Sequence, residues 1–262
     1  MSQLVEIAGE KLAVVLFEPH THIGDAVLIH GFTGSKEDFE EVGPILAAKG
    51  YRVLTFDNRG QHESAHCKHI DGYSMKSLAR DAIELARHFD MENPHLFGHS
   101  FGGLVAQQAV VDAPDFWSTL TLFCSGPQWI PNRPDLDLTI SWMETMSMQE
   151  SWDAYKEESD KGLPRYDIYK KRWTSSDPLS TKTMAQHLKA AESLISEIAA
   201  TGIPAHVIYG EADDAWPLEM QDQMAKDLSA PRTIIKNAGH CPNEDQPAAT
   251  ATAIADFWAR NP

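Results

Sequence analysis

Cysteine, basic residues and long apolar runs are all scarce in this chain. The three cysteines, Cys67, Cys124 and Cys241, form neither a C-x-x-C pair nor an even-numbered disulfide framework. That excludes a disulfide-stapled scaffold and fits a reducing compartment, so a cytoplasmic location is expected. Lysine and arginine total 22 against 38 aspartates and glutamates, a net charge of −16. Such a surface repels phosphate backbones, which argues against nucleic acid as a partner, and it repels anionic membrane surfaces equally. No apolar stretch approaches the ~18 residues of a membrane span. The start, Met1-Ser2-Gln3-Leu4-Val5-Glu6, lacks the basic and apolar regions of a secretory leader, so none is expected. Internal repeats and low-complexity tracts are absent too. With 262 residues, 42% of them hydrophobic, the chain is long enough for one large core with an insert.

The chain is organised around Gly98-His99-Ser100-Phe101-Gly102-Gly103. An apolar run precedes it and an apolar helical run, 104–111, follows. A serine between strand and helix, flanked by glycines two residues away on each side, is the G-x-S-x-G nucleophile elbow. The turn is so tight that the serine takes a strained conformation, and its neighbours have no room for a Cβ. The helix beginning there presents free N–H groups to a reacting oxygen.

Around the elbow, strand and helix signals alternate. Residues 4–7 and 11–17 read as a hairpin turning at Gly9-Glu10, and 26–29, 51–56, 120–124, 205–209 and 232–235 as further strands. Helical patterns cover 39–49, 77–89, 218–228 and 247–258. The pattern predicts an α/β fold, a doubly wound and mainly parallel sheet. Residues 128–200 break it. They show no strand pattern, hold most of the tryptophan, and read as a helical cap inserted into a core of 1–127 and 201–262.

The chemistry-bearing residues fall at strand ends. His30-Gly31-Phe32 follows the 26–29 strand, and the Phe32 N–H, with that of Phe101 behind the serine, is placed to receive a developing oxyanion. Asp213 lies in the loop after the 205–209 strand, with Asp214 as its rival. His240 follows the 232–235 strand. The order Ser100, Asp213, His240 is that of a nucleophile, an orienting acid and a base.

Taken together, Gly98–Gly103, His30-Gly31, Gly210-x-x-Asp213 with Pro217, and Gly239-His240 resemble the α/β-hydrolase superfamily over essentially the whole chain. The resemblance favours Asp213 over Asp214. It implies a serine carboxylic-ester hydrolase acting on small or medium apolar esters, with no cofactor and no metal. Carbon–carbon hydrolysis of ring-cleavage products, lactone or thioester hydrolysis, and ligand sensing share this framework. Asp57-Asn58-Arg59-Gly60 resembles the family loop after the fourth strand, without its further glycine, and no role is carried over. The oligomeric state is not readable.

His62-Glu63-Ser64-Ala65-His66 spells the H-E-x-x-H of zinc proteases, but in a polar loop without the helical pattern that chemistry needs. His99 is expected to pack in the elbow, Cys124 in the core, and Cys241 to be a bystander. Trp129, Trp142, Met146 and Trp216 are the expected pocket residues, suited to an apolar acyl or aromatic group. Arg165, Lys170, Lys171 and Arg172 read as a solvated face rather than a carboxylate site.

Overall fold

Ala26-Val27-Leu28-Ile29 lacks polar alternation because both faces of its strand are covered. The structure, a computed structural model, describes residues 2–156, 162 and 164–262. Eight strands form one sheet: β1 (Gln3–Ile7), β2 (Glu10–Phe17), β3 (Gly24–Ile29), β4 (Tyr51–Phe56), β5 (His95–His99), β6 (Thr119–Phe123), β7 (Ala205–Gly210) and β8 (Arg232–Ile235). Their spatial order is β1-β2-β4-β3-β5-β6-β7-β8. The β1–β2 and β2–β4 pairs are antiparallel and all later pairs parallel. The winding direction reverses between β3 and β5. Open α/β sheets bind ligands outside the carboxyl ends of strands at such a switch point.

The core helices are α1 (Val42–Ala48), α2 (Met75–His88) and α3 (Phe101–Asp112). α2 packs one apolar face, including Leu78, Ala82 and Leu85, beneath the sheet, and Ser74 caps its start. α3 is buried along most of its length, consistent with a sequence apolar on every side. Two local boundaries differ from the sequence reading. The first hairpin turns on Ala8 and Gly9, both at positive φ, with Ile7 opposite Glu10, because a two-residue hairpin turn of this hand needs φ > 0 at both central positions. The helix expected from residue 39 begins at Val42, which keeps Pro44 within the first turn, where its missing N–H costs nothing. A separate 3₁₀ turn, Lys36–Phe39, precedes it.

Between β6 and β7 lie α4 (Pro134–Thr145), α5 (Met148–Tyr155), α6 (Tyr166–Ser175), α7 (Pro178–Ala190) and α8 (Ile195–Thr201). Met143, Met148, Trp152 and Trp173 form a small core of their own there, with Trp142, Tyr166 and Tyr169 against it. Leu136 of α4, Met184 and Leu188 of α7, and Ile195 and Ile198 of α8 join the main core instead. The chain closes with α9 (Leu218–Asp227), the short α10 (Pro242–Asp245) and α11 (Pro247–Trp258). No helix among the described residues is long and apolar enough to cross a membrane.

Candidate active site

Ser100 sits between β5 and α3 at φ 53°, ψ −118°, a conformation that non-glycine residues adopt only when their surroundings force it. Three hydrogen bonds hold it there. Its N–H donates to the Phe123 carbonyl at 2.9 Å, and its carbonyl accepts from Ser125 Oγ at 2.8 Å and Gly103 N–H at 2.9 Å. A Cβ on Gly98 would stand 2.3 Å from the Gly102 carbonyl oxygen, and one on Gly102 would stand 2.4 Å from that of Ile29. Crossing backbones fill the space that any side chain there would need.

The His30-Gly31-Phe32 turn lies on the other side of Ser100. A Cβ on Gly31 would come within 3.1 Å of Ser100 Cβ. The Gly31 carbonyl accepts from His30 Nδ1–H at 2.8 Å and from Gly34 N–H at 3.0 Å. In a trans peptide the N–H points opposite the carbonyl, so these donors turn the Phe32 N–H away from themselves. The Asn58 N–H donates to His30 Nε2 at 3.0 Å, which fixes the tautomer, and burial pushes the His30 imidazole down to about 4, so the ring stays neutral. Neither Phe32 nor Phe101 spends its N–H on a backbone partner among the described residues. For Phe101 this follows from its place as the first residue of α3.

His240 Nδ1 lies 2.8 Å from Asp213 Oδ1. Asp213 is buried, whereas Asp214 is exposed and makes no such contact. Ala215 N–H donates to the same carboxylate oxygen at 3.0 Å, and Gln221 Nε2 donates to the other at 2.9 Å. Burial alone would raise the Asp213 carboxyl. The hydrogen bond and charge of His240, with the Gln221 and Ala215 donors, outweigh burial and hold it below the ordinary carboxylate range. The acid is therefore ionised, the His240 ring is oriented through Nδ1, and Nε2 faces no other hydrogen-bonding partner among the described residues.

Three supporting side chains escaped the sequence reading. Gln221 on α9 looks like any polar residue of an amphipathic helix, and Ser125 like any loop serine; neither carries a local signal. The His30 ring was legible in principle, since an imidazole before a sharp turn often bonds that turn.

A cavity of about 390 Å³ opens beside Phe32 and Cys241. Trp142, Trp152, Tyr155, Tyr169 and Trp173 of the insert supply its aromatic wall, and Arg172 its inner edge. Of the four pocket residues expected from sequence, Trp142 lines it and three do not. Trp129 stands 43% exposed ahead of α4, Met146 faces outward where the chain leaves α4, and Trp216 is buried in the main core. The basic face of α6 also differs from expectation. Arg172 turns inward to pair with Asp38, its guanidinium 4.5 Å from the Tyr169 ring centre, and Arg165 reaches the Glu37 carbonyl at 2.9 Å. Tyr169 donates to Glu244 at 2.7 Å. These contacts seat α6 beside the 3₁₀ turn that follows His30-Gly31-Phe32.

The H-E-x-x-H run forms turns and coil, with His62 at φ 47°. His62 Nδ1 meets Ser175 Oγ at 3.1 Å and His66 Nε2 meets the Ser175 carbonyl at 3.2 Å, so both rings dock the end of α6. Glu37, His62 and Glu63 come close together, but the Lys36 ammonium already occupies the space between the two carboxylates, 2.8 Å from Glu37 and 2.9 Å from Glu63. His99, Cys124 and His240 also cluster, and burial pushes the Cys124 thiol well up.

Residues 26–253 match the Alpha/beta hydrolase family. An uncharacterized hydrolase, YugF, of Bacillus subtilis (strain 168) is 25% identical over 268 aligned residues, 88% of each chain. Among solved structures, the enol-lactonase from Burkholderia xenovorans LB400 superimposes with a TM-score of 0.83 at 20% identity, covering 98% of this chain and 100% of its own. The esterase from Exiguobacterium antarcticum gives 0.81 at 20% identity, covering 98% and 99%. The match from β3 to β8, with the strained serine after β5, leads to one conclusion: the chain belongs to the alpha/beta hydrolase family.

Proposed function

We propose that this hydrolase cleaves carboxylic esters of small to medium apolar substrates through an acyl-enzyme on Ser100. What supports the reading is the strained Ser100, with the Phe32 and Phe101 N–H groups left unpaired, and a His240–Asp213 pair whose His240 carbonyl accepts from His99, the residue before the serine. Ser100 Oγ attacks the ester carbonyl while His240 Nε2 accepts its proton. The two N–H groups receive the oxyanion, each contributing roughly 3 kcal/mol of transition-state stabilisation. Collapse of the tetrahedral intermediate breaks the C–O bond, and His240 returns the proton to the departing alcohol. Water, deprotonated by His240, then attacks the acyl carbonyl and releases the acid and free Ser100. Asp213 holds the imidazole in register and stabilises its cation throughout. The α4–α7 insert acts as a cap, and its aromatic cavity takes the apolar group.

The test is hydrolysis of p-nitrophenyl esters from short to long acyl chains, with Ser100→Ala alongside. Turnover by the wild type that the variant loses is expected, with an optimum set by the cavity. Folded wild-type protein inert toward every ester would remove this reading in favour of carbon–carbon hydrolysis or ligand sensing.

A further inference from the structure

We propose that His99 is a positioning residue of this site, a buried spacer that ties the loop carrying His240 to the strand carrying Ser100. The inference rests on the reading of Ser100 as nucleophile and His240 as base. His99 ends β5 and directly precedes Ser100, so its backbone cannot shift without the elbow. Its Nε2 lies 2.9 Å from the His240 carbonyl oxygen. The two imidazole centres are 5.0 Å apart, and the Phe123 ring packs edge-on at 5.4 Å. A carbonyl only accepts, so His99 Nε2 must carry the proton.

The other nitrogen completes the argument. His99 Nδ1 is buried without a hydrogen-bond partner, and a Cβ on Gly31 would stand 3.3 Å from it. The ring therefore lies between the oxyanion turn and the base loop. Burial first, and then the charge of His240, push His99 down to about 4, against smaller opposing effects of Asp38, the bond to the His240 backbone and Asp213. The ring is neutral near pH 7, with one proton, and the geometry puts that proton on Nε2. A charged ring would add a second N–H facing the crowded Gly31 and a cation beside the imidazolium that forms on His240. A neutral Nε2–H ring holds the His240 backbone without opposing that charge.

Two measurements test this. A long-range ¹H–¹⁵N spectrum of the histidines near neutral pH should show His99 as the neutral Nε2–H tautomer. A Nδ1–H tautomer or a protonated ring would overturn the proposal whatever the substrate. In the second, His99→Phe keeps a ring but loses the donor, whereas His99→Gln keeps a terminal N–H of similar reach. His99→Phe should lower kcat about tenfold, the worth of one buried hydrogen bond, with KM changed less than about twofold. His99→Gln should recover most of that loss. An unchanged kcat in His99→Phe, or equal losses in both variants, would also overturn it. If His99→Phe does not fold, the tautomer decides. Lack of ester turnover by the wild type would count against the proposed function alone, and the tautomer would still decide the role of His99.

Discussion

The Asp213 carboxylate meets His240 Nδ1 at 2.8 Å while the adjacent Asp214 faces solvent. Asp213→Asn should lower kcat about 10³- to 10⁴-fold, because an amide cannot fix the imidazole tautomer or balance its charge. Asp214→Asn should stay within about twofold of wild type, as expected for an exposed residue without a partner at the site. Steady-state kinetics on the best ester compares them. A large loss in Asp214→Asn with a small one in Asp213→Asn would reverse the assignment.

The second prediction concerns acid. Burial pushes His30, His95, His99 and His206 from 6.5 down to about 4 in the folded protein. Between those values the unfolded chain binds protons that the native state refuses. Stability from these groups is complete above 6.5 and is lost as the pH falls towards 4. The urea midpoint should fall between about pH 7 and pH 5, with as many as four protons taken up by these rings on unfolding and up to one released by Asp57, which burial pushes up to about 7 in the folded protein. His206→Gln, remote from the site at the Thr233 hydroxyl, should flatten the dependence. A pH dependence as steep in His206→Gln as in the wild type would show that burial does not hold the His206 ring neutral.

A third prediction follows from Lys36. Its ammonium is fully buried and lies 2.9 Å from the equally buried Asp57, as well as near Glu37 and Glu63. Lys36→Met strands a buried carboxylate and should cost about 3–5 kcal/mol, and Lys36→Met/Asp57→Asn should recover part of it. The exposed Arg87–Glu84 pair is the contrast, and Arg87→Ala should change stability by less than about 0.5 kcal/mol. Urea unfolding measures all three variants.

The sheet, the strained turn at Ser100 and the pairing of Asp213 rather than Asp214 with His240 were legible because each is carried by local pattern. Apolar runs mark strands buried on both faces, and glycines mark places where backbones cross. The lining of the cavity was not legible. Which side of α4, α5 or α6 faces inward depends on how the insert docks, and that rests on pairs distant in sequence, such as Arg172 with Asp38 and Tyr169 with Glu244. Met146 and Tyr155 look equally suited to a pocket in sequence, yet only Tyr155 reaches one.

Strands β6 and β7 are neighbours, with Leu120 paired to Ala205 and Phe123 to Ile208. The chain between them leaves at the carboxyl end of β6 and returns at the opposite end of the neighbouring β7, so its two ends stay one strand length apart however long it is. The entropy of closing such an excursion grows only with the logarithm of its length. Helices α5 and α6 can therefore be lengthened, shortened or replaced without re-registering a strand, provided Leu136 of α4 and helices α7 and α8 still cover the core. On the proposed function, what the molecule recognises is separate from what makes it fold, and a lineage could try new substrates on a frame that stays intact.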